Sequence, residues 1–496
     1  MTESVRGSGA QSKLRNLPVA LIVLGVILRG WAGFAMDVQQ DGATYTAMGH
    51  AFQQHGEFLM PWGDTIQRFE SQPAYSHHYS PLYPLMLAGG YAVAGYSLEV
   101  TKAVALLVSL ASIAVVWWCT RDLFGRERAN WVTGILAVEP GFILATGTGF
   151  TENLVLLLFA GTLWAIIKSL REPSYIVVAG VCAGLGYLTR SGMGALFIVA
   201  GLGGLGWRLM YRGRETFKDN WYLLAGLIFG TMVAAWGLRN LVRFGDWQTS
   251  LYTSFSFNYA FHNQGLFWTG LLGKVPIFFA FMALYWMPFS RELKEAGTEW
   301  RREERSVLWL CIGLVLFIGW VMATVYWTVE QSPMWWMDQH RYVVVAFLPL
   351  LWLAASKANF SSRNLQLRTA TLAAVLVVAS VGLILEPQVS PLHDAAAHLD
   401  LHAGSQVGMA GALDKYKAYP YFQLLDIQVY DCQEQGYSTT WGAAQNGSAC
   451  AAKNPDFILS TEPLVAPGYA LLRTSEQSLW FGLTSLKAYT YGRVPA

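Results

Sequence analysis

The chain has 496 residues, of which 54% are hydrophobic and only 13% are charged. Soluble domains carry about 25% charged residues, so this composition excludes an ordinary soluble enzyme or binding module. The formal net charge of +2 is uninformative as a total. The positions of the charges along the chain are what indicate its orientation in a membrane. We predict no nucleic-acid partner.

Apolar runs recur along the chain at about 20 residues, the length that a helix needs to cross the hydrocarbon core of a bilayer. Only a helix satisfies all of its own backbone hydrogen bonds in lipid. The predicted fold class is therefore an all-α polytopic membrane protein with about 11 transmembrane helices. The predicted spans are residues 17–36, 99–119, 130–148, 152–169, 174–189, 193–210, 221–239, 274–290, 306–327, 341–356 and 369–386.

The distribution of lysine and arginine predicts the orientation of these helices. When the N-terminus is placed in the cytoplasm, every second loop is basic, and the first long loop, residues 37–98, lies outside. Residues 1–386 then form a transmembrane domain. Residues 387–496 form a small external C-terminal α/β domain.

The first apolar run also has features of a cleavable signal peptide, because a basic start and an apolar core precede "AGFA" and Met36. Arg29 and Trp31 fit poorly near such a cleavage site. A retained first helix also keeps the alternation of basic loops coherent, so we predict that the run is retained.

The external loop 37–98 is too long for a simple connector. Residues 42–54 predict a helix, since Tyr45 and Met48 fall on one face by their spacing. Residues 81–96 are apolar but short, and Gly and Pro interrupt them. We expect both segments to be helices that lie at the membrane interface rather than cross it.

The tail alternates apolar stretches such as "FQLLDIQVY" and "DFILS" with polar loops, which favours strands. Cys432 and Cys450 lie in this tail and predict a disulfide in an oxidising compartment. Cys119, Cys182 and Cys311 lie in apolar runs and are expected to be packing residues. No cysteine or histidine cluster of metal-binding type is visible, and no P-loop points to a nucleotide-driven pump.

Acidic residues follow the first span and open the fourth, and ionisable groups at membrane depth are often functional. Asp41 is either the N-cap of the helix 42–54 or a general base facing an acceptor, and the two roles are compatible. Asp37 is either an interfacial loop acid or a second candidate. Glu152 is either an acid favoured at a helix N-terminus, with Thr151 as cap, or a second carboxylate that orients an acceptor or a metal ion.

Four arginines fall at the outer ends of predicted helices: Arg190, Arg239, Arg243 and Arg341. They either snorkel to the headgroups or form a phosphate site, since the planar guanidinium binds phosphate oxygens in pairs. The positive-inside rule depletes arginine on this side, which favours the phosphate site. His77 and His78 are either loop histidines, or one of them contacts a phosphate or an acceptor hydroxyl.

Four stretches occur in a characteristic order: "DGATYTAMGHAFQQHG" (41–56), "SPLYPLMLAGGYAVAG" (80–95), "TENLVLLLFAGTLWA" (151–165) and "HRYVVVAFLPLLWL" (340–353). In this order they resemble the GT-C glycosyltransferases, polytopic enzymes that use lipid-phosphate sugar donors. The protein mannosyltransferase and aminoarabinose transferase-like branch is the most similar. Its acidic first-loop motif, Pro-Pro-Leu-Tyr-Pro segment, second acidic motif and Arg-Tyr-hydrophobic-Pro motif match the four stretches in turn.

The resemblance implies a polyprenyl-phosphate sugar donor and an envelope acceptor, which is a protein, a lipid or a glycan. Asp41, in the register fixed by Tyr45, would be the general base of an inverting transfer, and Glu152 the second catalytic acid. The donor phosphate would be bound by Arg341, Arg239, Arg243, Arg190 and His78. The acceptor or sugar side would be formed by Asp37, Tyr45 and His77.

The resemblance also implies a multi-pass protein of the cell inner membrane, in contact with membrane lipids, with its active site and C-terminal domain on the periplasmic side. It requires no cofactor and leaves a divalent cation open. The alternative function is a secondary transporter of a small solute. The usual signature of such a transporter, paired broken helices in matching halves, is not evident in the sequence.

The sequence departs from the family pattern in three places. Gly42 stands where Glu is frequent, and Glu152 stands where Asp is common. Tyr79 and Ser80 stand where the family often has a phosphate-binding lysine. His78 or an arginine would therefore have to take over the role of that lysine.

Overall fold

A computed structural model of the protein describes most of the chain. The described residues are 8–36, 38, 40–60, 74–75, 79–190, 194–213, 220–244, 282–283, 285–295, 302–325, 344–385, 406–410, 428–431, 456–460, 469–479 and 484–494. Six residues with predicted roles lie outside this part: Asp37, His77, His78, Arg341, Cys432 and Cys450. Their roles stay predictions.

The described part up to residue 385 is helical except for a two-residue strand pair. The helices are α1 (Ser8–Ala35), α2 (Gln40–His55), α3 (Leu82–Ala94), α4 (Leu98–Phe124), α5 (Arg126–Ala137), α6 (Pro140–Thr148), α7 (Glu152–Ser169), α8 (Tyr175–Thr189), α9 (Gly194–Arg212), α10 (Trp221–Phe244), α11 (Ser290–Glu295), α12 (Arg302–Val325), α13 (Phe347–Ala355) and α14 (Arg363–Leu385). Short 3-10 turns precede α11 and α13, at Met287–Phe289 and Val344–Ala346. The strand pair is β1 (Leu59–Met60) and β2 (Ala74–Tyr75), which run antiparallel.

Five of the described helices are long and apolar enough to cross a membrane, namely α1, α4, α7, α10 and α14. A sixth span forms if α5 and α6 count as one bent pair. Helix α8 is shorter, as is the apolar segment Leu196–Met210 of α9. The predicted span 274–290 lies mostly outside the described residues. A mainly helical, multi-pass membrane protein is confirmed, whereas the count of about 11 spans stays a prediction.

The predicted span 130–148 is not one helix but two. Helices α5 and α6 meet at an angle of 57°, so the prediction of a continuous span was wrong. The cause is Pro140, because proline disfavours helical geometry in the residue before it. Glu139 is accordingly extended, and its Oε2 accepts a hydrogen bond from the Phe142 amide at 2.9 Å, which caps α6.

Both short helices predicted in the first external loop are present, as α2 and α3. They pack against each other through an edge-to-face contact between Tyr45 and Tyr83, with ring centroids 5.5 Å apart. Gly49 of α2 allows the close approach, since a Cβ atom there would lie 2.9 Å from Leu87 Cβ. Their position at a membrane interface stays a prediction.

Helix α7 lies at the centre of the helical body. Its side chains are buried along nearly its whole length, against α4, α8 and α9. Helix α10, in contrast, exposes large apolar side chains such as Leu223, Leu227 and Val242, as expected of a surface that faces lipid. Because α7 is so firmly packed, its first residue, Glu152, has a well-defined position.

The first turn of α2 rests directly on the end of α6. A Cβ atom at Gly42 would lie only 2.1 Å from the Thr148 carbonyl oxygen. Gly149, the next residue, ends α6 in the left-handed conformation with φ of 77°. Only glycine at position 42 permits this contact, so the departure from the family's Glu has a steric reason in this chain.

We therefore expect Gly42→Ala to displace α2 and to lower both thermal stability and any activity that depends on Asp41. Overpacking of a tight contact costs about 1–3 kcal/mol. Thermal unfolding of the purified protein in lipid nanodiscs measures the loss. Gly89→Ala in α3 is the matched control, since a Cβ there meets nothing within 4 Å. Equal melting temperatures for the two variants would contradict this expectation.

The described C-terminal residues form a five-stranded mixed sheet. Its strands are β3 (Gln406–Ala410), β4 (Gln428–Asp431), β5 (Phe457–Ser460), β6 (Tyr469–Leu479) and β7 (Thr484–Arg493), in the order β4-β3-β5-β7-β6. Strand β3 runs parallel to β4 and β5, and β7 runs antiparallel to β5 and β6. Of the two stretches predicted as strands, "FQLLDIQVY" overlaps β4 and "DFILS" contains β5. The helical part of an α/β domain and its external position stay predictions.

Candidate functional site

Three ionisable side chains from distant parts of the sequence meet at one point. Arg190 donates to Glu152 Oε1 through Nη1 at 2.6 Å and to Asp41 Oδ2 through Nη2 at 3.4 Å. One guanidinium thus bridges two carboxylates. The sequence singled out all three residues, and the structure brings them together.

Helix ends position each of the three groups. Asp41 lies in the first turn of α2, which begins at Gln40, and Glu152 begins α7. Both carboxylates therefore lie where the helix dipole favours negative charge. The predicted N-cap role of Asp41 was wrong, because the helix begins at Gln40, two residues before the predicted start, and Asp41 lies inside its first turn. Thr151 is the N-cap of α7 by position, but its side chain makes no capping hydrogen bond.

The three side chains differ in their access to solvent. The exposed fraction is 21% for Asp41, 12% for Arg190 and 3% for Glu152. Asp41 is therefore the carboxylate that a substrate can reach. Glu152 is buried, and a buried carboxylate is tolerated when a cation and hydrogen bonds compensate for its desolvation. Arg190 supplies that charge and also donates to Thr151 Oγ1 at 3.4 Å.

A tyrosine contacts the carboxylate oxygen of Asp41 that Arg190 does not contact. The Tyr79 hydroxyl donates to Asp41 Oδ1 at 3.4 Å. The next residue, Ser80, donates to the Tyr187 carbonyl at 3.3 Å, which ties this loop to the last turn of α8. Each oxygen of Asp41 thus has its own donor, so the carboxylate is held in one orientation.

Tyr45 lies beneath this arrangement and is buried. Its ring makes edge-to-face contacts with Tyr79 and Tyr83, with centroids 5.4 and 5.5 Å apart. Burial raises the pKa of the Tyr45 phenol above its ordinary value, and Arg190 opposes this only in part. The phenol therefore stays neutral, and its packing supports Tyr79. A direct contact of Tyr45 with sugar stays a prediction.

Sequence reasoning did not assign Tyr79 to the site. The available signal was its position, because Tyr79 and Ser80 occupy the place of the family's lysine. A tyrosine there cannot supply a positive charge. It supplies a hydrogen-bond donor to Asp41 instead.

The two arginines of α10 lie elsewhere. Arg243 pairs with Glu57 at 2.5 Å, and Arg239 donates to Asn240 at 2.9 Å. Arg239 also stacks over the Phe58 ring, 5.8 Å from its centroid. Glu57 and Phe58 follow the last turn of α2, whereas Asp41 lies in its first turn. A helix of this length spans roughly 24 Å, so these arginines surround the far end of α2.

The metal prediction can be examined only within the described residues. There, no group of three or more His, Cys, Asp or Glu side chains could hold a metal ion. Asp41 and Glu152 are the two acids that could share a cation, and Arg190 already contacts both. A divalent cation therefore competes with Arg190 for these oxygens.

Comparisons with known proteins agree with the resemblance. Residues 77–237 match the family model described as dolichyl-phosphate-mannose-protein mannosyltransferase. The fold is similar to the apo structure of ArnT from Cupriavidus metallidurans, with a TM-score of 0.59, 13% identity and coverage of 96% of this chain and 97% of that chain. It is also similar to ArnT from the same organism bound to undecaprenyl phosphate, with a TM-score of 0.51, 12% identity and coverage of 95% and 97%.

No curated protein sequence shows a significant match to the chain. The family match covers Glu152, Arg190 and Tyr79, while the structural likeness extends over nearly the whole chain. Over residues 77–237 the chain thus matches a family of mannosyltransferases, and over nearly its whole length its fold is similar to that of ArnT.

Proposed function

We propose that this protein transfers a monosaccharide from a polyprenyl-phosphate donor to an envelope acceptor, which is a protein, a lipid or a glycan, on the outer face of the membrane. The observation that carries the proposal is the Asp41–Arg190–Glu152 cluster. Asp41 lies outside the matched residues 77–237, yet it is in contact with Arg190 inside them. The likeness to a transferase bound to undecaprenyl phosphate supports a lipid-phosphate donor.

In the proposed reaction, Asp41 is the general base. An acceptor hydroxyl gives its proton to the Asp41 carboxylate while its oxygen bonds to the anomeric carbon of the sugar. The bond between that carbon and the phosphate oxygen breaks, and its electron pair leaves with the polyprenyl phosphate. Attack from the face opposite the leaving group inverts the anomeric configuration. Tyr79 and Arg190 hold the base in place for this step.

The leaving phosphate needs positive charge near it. With both acids ionised, the cluster of two carboxylates and one guanidinium carries a net charge of −1 and repels an anion. We therefore propose that Arg190 mainly orients the acids, and that Arg341 and His78 supply cations for the donor phosphate. Arg239 and Arg243 lie near the far end of α2, so we assign them no contact with the reacting phosphate. Asp37, Tyr45 and His77 remain the proposed acceptor or sugar side.

We further propose that the protein resides in the cell inner membrane, with the cluster and the C-terminal domain on the periplasmic side. Lysine and arginine in alternate loops support this orientation. A disulfide between Cys432 and Cys450 would be compatible with that compartment.

The direct test uses membranes that contain the protein and a panel of undecaprenyl-phosphate monosaccharides. We expect these membranes to release undecaprenyl phosphate from at least one donor faster than membranes without the protein do. The sugar should be recovered on a membrane or envelope component.

The alternative is a secondary transporter, for which the bent pair α5–α6 is the supporting feature. Solute uptake by proteoliposomes, with no donor consumed, would replace the enzyme proposal by that alternative.

A further inference from the structure

An arginine is fully buried in the C-terminal half of the first spanning helix. Arg29 of α1 is 0% exposed. Its Nη1 donates to Ser109 Oγ at 2.5 Å and to Asn153 Oδ1 at 2.9 Å. The guanidinium also donates to three backbone carbonyls, those of Leu136, Ala137 and Phe142.

The break between α5 and α6 explains only part of this arrangement. The last carbonyls of a helix lack partners within it, and in an apolar environment each must be satisfied. Arg29 supplies donors to the carbonyls of Leu136 and Ala137, which end α5. The break does not account for the hydrogen bond to Asn153. This residue belongs to a different helix, α7, where it directly follows Glu152.

Asn153 connects the two helices that form the corner next to the site. Its Oδ1 accepts from Arg29, and its Nδ2 donates to the Phe142 carbonyl at 2.9 Å and to Thr146 Oγ1 at 3.1 Å. Thr146 is in turn hydrogen-bonded to Ser109 at 2.7 Å. These side chains join α1, α4, α6 and α7 into one buried network, in which the two bonds donated by Asn153 connect α7 directly with α6.

Both carboxylates of the site are attached to this same corner. Glu152 is the neighbour of Asn153 at the start of α7. Asp41 is the neighbour of Gly42, which packs on the Thr148 carbonyl at the end of α6. A change in the position of α6 relative to α7 therefore changes the separation between Asp41 and Glu152.

We propose that Arg29 and Asn153 are positioning residues that set the spacing of the Asp41 and Glu152 carboxylates through the α6–α7 corner. The inference rests on the proposed transfer reaction. The two residues touch no substrate. They act by holding the acids at the distance that Arg190 bridges. Misplacement of a catalytic group by about 1 Å costs on the order of 10²-fold in rate.

The experiment measures the release of undecaprenyl phosphate from the best donor of the panel. We expect Asn153→Leu to lower the maximal rate per folded molecule by about 10²-fold, while the donor concentration at half-maximal rate changes little. Thr120→Val is the matched control. It removes a different buried hydrogen bond, which Trp352 Nε1 donates to Thr120 Oγ1 of α4 at 2.8 Å. The control is expected to retain the wild-type maximal rate.

A double-mutant cycle separates positioning from general destabilisation. If Asn153 acts through Glu152, then Asn153→Leu costs little further rate once Glu152→Gln is present. If the rate loss of the double variant equals the product of the two single losses, the inference is overturned. Should Asn153→Leu fail to accumulate in membranes, Arg29→Lys makes the same test, since it keeps the charge but loses the planar fork. An inactive wild-type protein would refute the proposed function, whereas an active one with a multiplicative cycle refutes only the positioning role.

Discussion

Replacing Asp41 with asparagine is expected to lower the rate of sugar transfer by about 10²–10⁴-fold, the usual contribution of a positioned acid or base. Asparagine has nearly the same shape, and its amide oxygen can still accept the hydrogen bond from Tyr79. Arg190 keeps its shorter contact with Glu152, at 2.6 Å. The variant therefore loses the proton acceptor while the surrounding structure persists. The measurement is donor turnover per folded molecule in membranes.

The matched control is Glu99→Gln in α4. Glu99 is also an acid in the first turn of a helix and is exposed to solvent, but it belongs to no part of the site. We expect this variant to transfer sugar at the wild-type rate. Wild-type transfer by Asp41→Asn, with the same folded yield, would remove Asp41 from the mechanism and direct attention to Asp37.

The local patterns of the sequence were sufficient to predict the elements that carry the site. Residues 42–54 and 81–96 were predicted as short helices; α2 covers the first range, and α3 lies within the second. Helical spacing and the interruption by Gly and Pro depend only on residues within each segment, so both can be recognised in the sequence alone. Glu139-Pro140 was an equally local signal for the break between α5 and α6. The span 130–148 was nevertheless predicted as one helix, because its apolar run has the length of a membrane span.

The contacts within the site could not be predicted in the same way. Arg190 and Asp41 are 149 residues apart, and their meeting depends on how α2 packs on α6 and how α8 packs on α7. The four outer arginines looked equivalent in sequence. The structure separates Arg190, which binds the acids, from Arg239 and Arg243, which lie near the far end of α2.

Arg29 and Tyr79 show a second reason why sequence reasoning falls short. An arginine in a spanning helix is a candidate functional residue, but its role depends on its acceptors, and these come from α4, α5, α6 and α7. Tyr79 was visible only as the residue that replaces a lysine. In both cases the function of the side chain is set by partners that are distant in the sequence.

Replacing Arg190 with alanine is expected to abolish transfer and also to destabilise the protein. The change removes the cation that lies 2.6 Å from the buried Glu152 carboxylate. Removing one partner of a buried ion pair costs roughly 3–5 kcal/mol, because the remaining charge loses its compensation. Asp41 loses its second donor at the same time. Thermal unfolding in nanodiscs and donor turnover per folded molecule measure the two effects separately.

Two further variants show whether Arg190 acts through its bridge between the acids. Arg190→Lys keeps the charge, but an ammonium group lacks the planar fork that contacts both carboxylates. We therefore expect a thermal stability between those of the wild type and Arg190→Ala, and a turnover well below that of the wild type. Arg171→Ala is the matched control, since Arg171 also pairs with a buried acid, Glu304, which is 1% exposed. It should lose stability yet keep wild-type turnover per folded molecule. If Arg190→Ala folds in normal yield and transfers sugar at the wild-type rate, the bridge has no part in catalysis, and the two acids must be held by other groups.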